Sequence, residues 1–201
     1  MKRSLRSHPA APAPAGLILW VHRLPADDPA RPLRLRYVVA GDPTAVRWPA
    51  ALDRGAPSRQ DGLWQHTCFE AFIAAAPGDG GYFEYNFSPS GAWSAYRFDG
   101  YRQGMRPEPA AWAPRIVLTP AATTTSLEVA FAWPDAWSAA ATAATAAAPP
   151  PGQGPRGVRV GLSAVIEAVD GSRSYWALGH PDTRPDFHNA QGFLLELEVP
   201  G

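Results

Sequence analysis

The chain has 201 residues, enough for one well-packed domain and too few for two ordinary ones. Eighteen basic and eighteen acidic side chains cancel to a formal charge of zero, which leaves no overall field to draw in nucleic acid or an anionic membrane, and no apolar run approaches a bilayer span. A single cysteine excludes an intramolecular disulfide and a cysteine-built zinc site, while eight Trp, 23 Pro and a low charged fraction favour many short strands over long helices.

The chain opens with Lys2, Arg3 and Arg6, followed by Pro and Ala from Pro9 to Ala15. No apolar stretch follows the basic residues as an export signal requires, so the expected compartment is the cytoplasm. Residues 1–15 read as a disordered tail, because Pro, Ala and Arg bury too little surface to offset ordering entropy. The domain is expected over 16–201. Strand patterns then follow at Leu17–His22, Leu33–Ala40, Thr67–Ala75, Tyr82–Ser88, Trp93–Phe98, Arg115–Thr119, Ser126–Trp133, Val158–Val169, Ser174–Leu178 and Gly192–Val199. Short strands punctuated by Gly, Pro and Asp predict an all-β, single-domain antiparallel β-sandwich, immunoglobulin-like or jelly-roll-like, with a barrel as the alternative. The Ala-rich run Ala139–Ala148, closed by Pro149–Pro151, predicts a flexible surface insertion at 139–157 holding at most a helical turn or two.

Alternation assigns faces in the central segment. Phe69, Ala71 and Ile73 share one parity, as do Phe83, Tyr85 and Phe87, and these six are expected to meet in the core. Glu70, Phe72, Glu84 and Asn86 then lie together on the reverse face. Reading Ser88–Gly91 as a four-residue loop pairs Phe87 with Ala92, which sends Tyr96 and Phe98 to the core and adds Trp93 and Arg97 to the polar face. Such a surface offers an aromatic plane for the C–H face of a sugar and fixed polar groups for its hydroxyls; an ion-pair cluster of purely structural value is the competing reading. Cys68, inside an apolar strand, is expected to be a buried and inert thiol.

Three other constellations carry chemistry. Glu70 and Glu84 could serve as a glycosidase acid and base or nucleophile. The loop Gly179–Asn189 carries His180, Asp182, Asp186 and His188 and is expected at the mouth of a site, although the eight-residue spacing of its histidines matches no standard zinc pattern, and no metal is expected. Met105, the only internal methionine, could join His180 or His188 as an axial pair on haem, or simply plug a gap. No nucleophile elbow, phosphate-binding loop, dinucleotide fingerprint or HExxH helix is present.

The run Leu63–Ile73, followed by Tyr82–Trp93, resembles the superfamily of DOMON-like domains and family 9 carbohydrate-binding modules: a Trp, a Glu-bearing strand, then an aromatic strand ending in a Gly turn. The strand from Leu127, the Trp133–Pro134 corner and the Phe193 strand fit more loosely. The resemblance implies a β-sandwich that binds sugars or haem and is usually non-catalytic. Gln65, His66 and Thr67 stand where family 9 modules often carry acidic residues. The sequence thus predicts a non-catalytic module for a carbohydrate or similar small polar ligand, contacted by Glu70, Glu84, Asn86, Trp93, Arg97, His180, Asp186 and His188, with Trp64 or Trp176 as further stacking candidates. The alternatives are a haem-binding electron-transfer domain held by Met105 and His180, and a glycoside hydrolase using Glu70 and Glu84.

Overall fold

Alternation of apolar residues carries through to thirteen strands in the computed structural model, which describes residues 1–52, 57–75, 81–109, 113–134 and 157–198. They are β1 (Lys2–Ser7), β2 (Ile18–Arg23), β3 (Leu33–Ala40), β4 (Ser58–Arg59), β5 (Cys68–Ala75), β6 (Tyr82–Phe87), β7 (Ala92–Phe98), β8 (Arg106–Pro107), β9 (Arg115–Pro120), β10 (Thr124–Phe131), β11 (Gly157–Glu167), β12 (Arg173–Ala177) and β13 (Leu195–Glu198). Among the described residues there is no α-helix, only single 3-10 turns at Pro43–Ala45, Leu63–Gln65 and Ala190–Gly192. The expected insertion at 139–157 lies outside the described residues except for Gly157, which opens β11.

The strands form one hydrogen-bonded path, β4-β7-β6-β5-β11-β12-β1-β2-β3-β10-β9, with β13 also on β11 and β8 also on β7. All pairs are antiparallel except β4 with β7. The sheet curls until the apolar faces of its two halves share a single core, with Leu19, Leu35, Val129 and Phe131 from one half and Phe69, Ile73, Tyr85 and Leu162 from the other. Rings cross between the halves: Tyr37 lies 5.1 Å from Phe69, and Phe131 lies 4.9 Å from Tyr85 and 5.0 Å from Phe87. The Tyr37 hydroxyl donates to the Glu70 carbonyl at 2.7 Å, which satisfies a polar group that burial would otherwise leave costly. The fold is therefore all-β, as expected, but built as one continuous curled sheet.

Residues 2–7 are not a tail. Lys2–Leu5 pair with β2, and Arg6 and Ser7 pair with β12, so β1 is the seam that joins the two halves. Composition missed it because β1 buries one apolar side chain, Leu5, at 3 % exposure; the rest of its stabilisation is backbone pairing, which leaves no hydrophobic pattern.

The second correction concerns β7. The amide of Gly91 donates to the Ser88 carbonyl at 3.0 Å, Gly91 takes φ +91°, and Ser88 pairs with Ala92. This is a turn over Pro89 and Ser90 completed by a left-handed Gly, a loop of three residues where four were expected. Phe87 consequently pairs with Trp93, and every side chain of β7 changes face. Trp93 and Ala95 enter the core, Arg97 joins Phe83's side with its guanidinium 5.7 Å from that ring, and Ser94, Tyr96 and Phe98 join Glu84 on the reverse.

Because Leu5 is buried at the seam, Leu5→Ala should lower unfolding free energy by about 2–4 kcal/mol. Urea titration followed by tryptophan fluorescence measures it; a disordered N-terminus would give a change near zero.

Candidate functional site

The reverse face of β7-β6-β5-β11-β12 carries a second, smaller apolar cluster of Phe72, Tyr82, Tyr96, Phe98 and Phe193. Strand β6 is therefore buried on both faces, at all six positions. Phe193 reaches this face because Gly161 in β11 has no side chain; a Cβ there would stand 2.6 Å from the Phe193 ring. Tyr82 and Phe98, opposite one another across β6 and β7, stack at 4.6 Å with an 8° interplanar angle.

Beside this cluster the face opens into a cavity of about 350 Å³, lined from the sheet by Glu70, Phe72, Glu84, Phe98, Val165, Arg173 and Tyr175 and from overlying segments by Trp64, Arg102, Met105, Pro185, Phe187 and His188. Trp64 is carried by the 3-10 turn after Gly62, which enters at φ +76°, and its indole meets Tyr96 edge-on at 5.9 Å. Arg102 sits in the turn after β7 with φ +54° and donates to Asp186 Oδ1 at 2.9 Å. Asp186 also accepts from the Tyr101 hydroxyl and from the His188 amide at 2.9 Å, so one carboxylate ties the two overlying loops together.

A chain of polar contacts positions His188: the Arg102 amide donates to the Tyr82 hydroxyl at 3.3 Å, that hydroxyl and His188 Nδ1 share a hydrogen bond of 2.7 Å, and His188 Nε2 lies 3.9 Å from Glu84 Oε2. Burial, with the charge of Arg102, pushes His188 down to about 4. The carboxyls go the other way. Glu70, 2 % exposed, is raised well above the usual range by burial and then by the charge of Glu84. Burial pushes Glu84 up to about 6 against hydrogen bonding from Asn86. Each has one bonded oxygen: Ser163 donates to Glu70 Oε2 at 3.1 Å, and Asn86 Nδ2 donates to Glu84 Oε1 at 2.7 Å.

The residues expected in a site thus separate. Glu70, Glu84 and His188 line the cavity, Asn86 is fully buried behind Glu84, and Asp186 braces the loops. Trp93 and Arg97 lie on the opposite face, for the register reason given above. His180 is set apart: its Nε2 lies 2.8 Å from the Arg6 carbonyl and its ring packs edge-on to His8 at 4.8 Å, and it is not among the residues lining the cavity that Met105 lines. Trp176 is in the core. Cys68 is fully buried, with burial raising its thiol well above the ordinary value. Among the described residues no group of three or more His, Cys, Asp or Glu is placed to hold a metal. Alternation could have found Phe98 had the hairpin been read with three residues; Arg102, Arg173, Tyr175 and Phe187 come together only through tertiary packing.

No protein-family model matches the chain, and no curated protein matches it significantly. Solved structures that resemble it include the following two. One is a candidate carbohydrate-binding protein from Bacteroides uniformis ATCC 8492, with TM-score 0.58 and 13 % identity, covering 96 % of this chain and 84 % of that one. The other is a family 9 carbohydrate-binding module from Caldicellulosiruptor kristjanssonii in complex with cellotriose, with TM-score 0.50 and 9 % identity, covering 99 % and 83 %. The likeness is one of fold. It reaches nearly the whole chain.

The displaced titrations fix a pH signature. Glu84 holds its proton more tightly in the folded chain than its usual 4.5, so its contribution to stability is complete below about pH 4.5 and is lost as pH rises through about 6. His188 has the opposite sign: its contribution is complete above its usual 6.5 and is lost as pH falls through about 4. Glu84→Gln removes the first and leaves the second, so relative to the wild type it should be worth about 2 kcal/mol more at pH 8 than at pH 4. Denaturant titrations of both proteins at the two pH values measure this; a difference independent of pH would show that Glu84 titrates normally.

Proposed function

We propose that this chain is a non-catalytic binding module whose ligand, a carbohydrate or similar small polar molecule, occupies the cavity over β5, β6, β11 and β12. The observation that carries this reading is the combination in one cavity of aromatic rings, two buried and half-satisfied carboxyls and a guanidinium: Trp64, Phe98, Tyr175 and Phe187 for the C–H faces of a sugar ring, and Glu70, Glu84 and the exposed Arg173 for its hydroxyls. The cavity volume matches the lower range of small-ligand pockets, which is roughly 300–1,000 Å³. The shared architecture with a module solved on cellotriose supports the same reading.

The carboxyl arrangement favours binding over hydrolysis. Glu70 and Glu84 are diagonal neighbours on adjacent strands and rise from the same floor, whereas glycoside hydrolysis needs carboxyl groups on either side of the scissile bond.

The test is titration calorimetry with a panel of oligosaccharides, cello-oligosaccharides first, on the wild type and on Trp64→Ala. Trp64 is already 36 % exposed, so the variant should keep its circular dichroism spectrum and melting behaviour. It is expected to lose saturable binding, or at least about tenfold in affinity, as one lost ring contact implies. Unchanged affinity in the variant, or release of reducing sugar by the wild type, would overturn the proposal.

A further inference from the structure

We infer that the ligand presents a positively charged nitrogen, as an amino sugar does, and that Glu70 and Glu84 bind it jointly. This rests on the binding reading above and deepens it.

Several carboxylates elsewhere have cationic partners: Glu128 is bonded by Arg34 and Arg36, Glu167, itself buried, by Arg47, Asp27 by Arg115, Asp99 by Arg106 and Asp186 by Arg102. Among the described residues, the two buried carboxyls at the cavity floor have no Arg or Lys bonded to them. They are 2 % and 5 % exposed, yet among the described residues Glu70 has no ion pair, and Glu84 has only the neutral His188 ring at 3.9 Å. Buried carboxylates without a counter-charge are costly, and removing one partner from such a pair is ordinarily more destabilising than never having built it. Here the missing partner has a place to sit. The free oxygens, Glu70 Oε1 and Glu84 Oε2, accept no hydrogen bond from the described residues, and both side chains line the cavity.

The surroundings suit an ammonium group. Trp64, Phe72, Phe98, Tyr175 and Phe187 line the same space, and the faces of such rings attract cations, most strongly where water is excluded. The resident guanidiniums leave the floor vacant: Arg102 is turned to Asp186, and Arg173 stands exposed on β12, separated from β5 by β11. Its charge directs the positive end of a ligand away from the β12 side and toward β5 and β6. A neutral sugar could use the same oxygens through its hydroxyls, whereas an ammonium group would also stabilise the ionised form of both carboxyls, which burial otherwise disfavours.

Calorimetry with the β-1,4-linked dimers of glucosamine, glucose and N-acetylglucosamine, at a pH where the amine is protonated, separates these cases. The glucosamine dimer is expected to bind at least about tenfold tighter than the other two, and the ratio of its affinity to that of the glucose dimer should fall to about one in a Glu70→Gln, Glu84→Gln double variant, whatever affinity that variant keeps for either. If the double variant does not fold, Glu84→Gln alone should reduce the preference several-fold. Equal affinities for the three dimers would overturn this inference and leave the sugar reading standing. Cyclohexylamine binding as tightly as the glucosamine dimer, and losing that binding in the Gln variants, would uphold the ammonium site and overturn the sugar reading. Failure of every probe to bind the wild type would overturn both.

Discussion

Burial of β6 on both faces is the constraint from which the site follows. A strand covered on one side shows polar residues to water on the other; β6 shows Phe83, Tyr85 and Phe87 to the main core and Tyr82, Glu84 and Asn86 to a second packed layer. Polar groups on that second side must find partners within the protein or in a ligand. Asn86 finds Glu84, and Ser163 finds Glu70, but each carboxyl retains an oxygen that accepts no hydrogen bond from the described chain.

The second layer depends on what covers it. Phe187, His188 and Phe193 come from the segment between β12 and β13, Arg102 from the turn after β7, and Trp64 from the 3-10 turn before β5. Asp186 joins two of these covers through Tyr101, Arg102 and the His188 amide, and Asn189 stiffens its own loop by donating to Asp182 at 2.8 Å and accepting the Gln191 amide at 3.0 Å. The geometry of the cavity is thus set by loops that are braced through polar contacts, over a floor set by sheet register.

Much of the fold was legible in the sequence, because alternation has a physical period. The spans of β3, β5, β6 and β12 were readable to within about a residue, and the parity of β5 and β6 placed Glu70, Glu84 and Asn86 side by side. Alternation was silent on two matters. It could not set β7, because register passes through a turn, and the difference between three and four loop residues moved Trp93 from the site to the core. Nor could it find β1, where Leu5 is the one buried side chain and the rest is backbone pairing. Arg102, Arg173 and Phe187 carry no local signal; distant parts of the chain bring them to one cavity.

The seam at β1 also orders events during synthesis. Its first neighbour, β2, is available almost at once, but its second is Trp176 and Ala177, about 170 residues further along the chain. Until those two are made β1 has one strand to hold and an open edge, and the curl stays unclosed. Closure across so long a stretch of chain carries a large loop entropy, so this sheet should be completed late and slowly, with β1 waiting for β12.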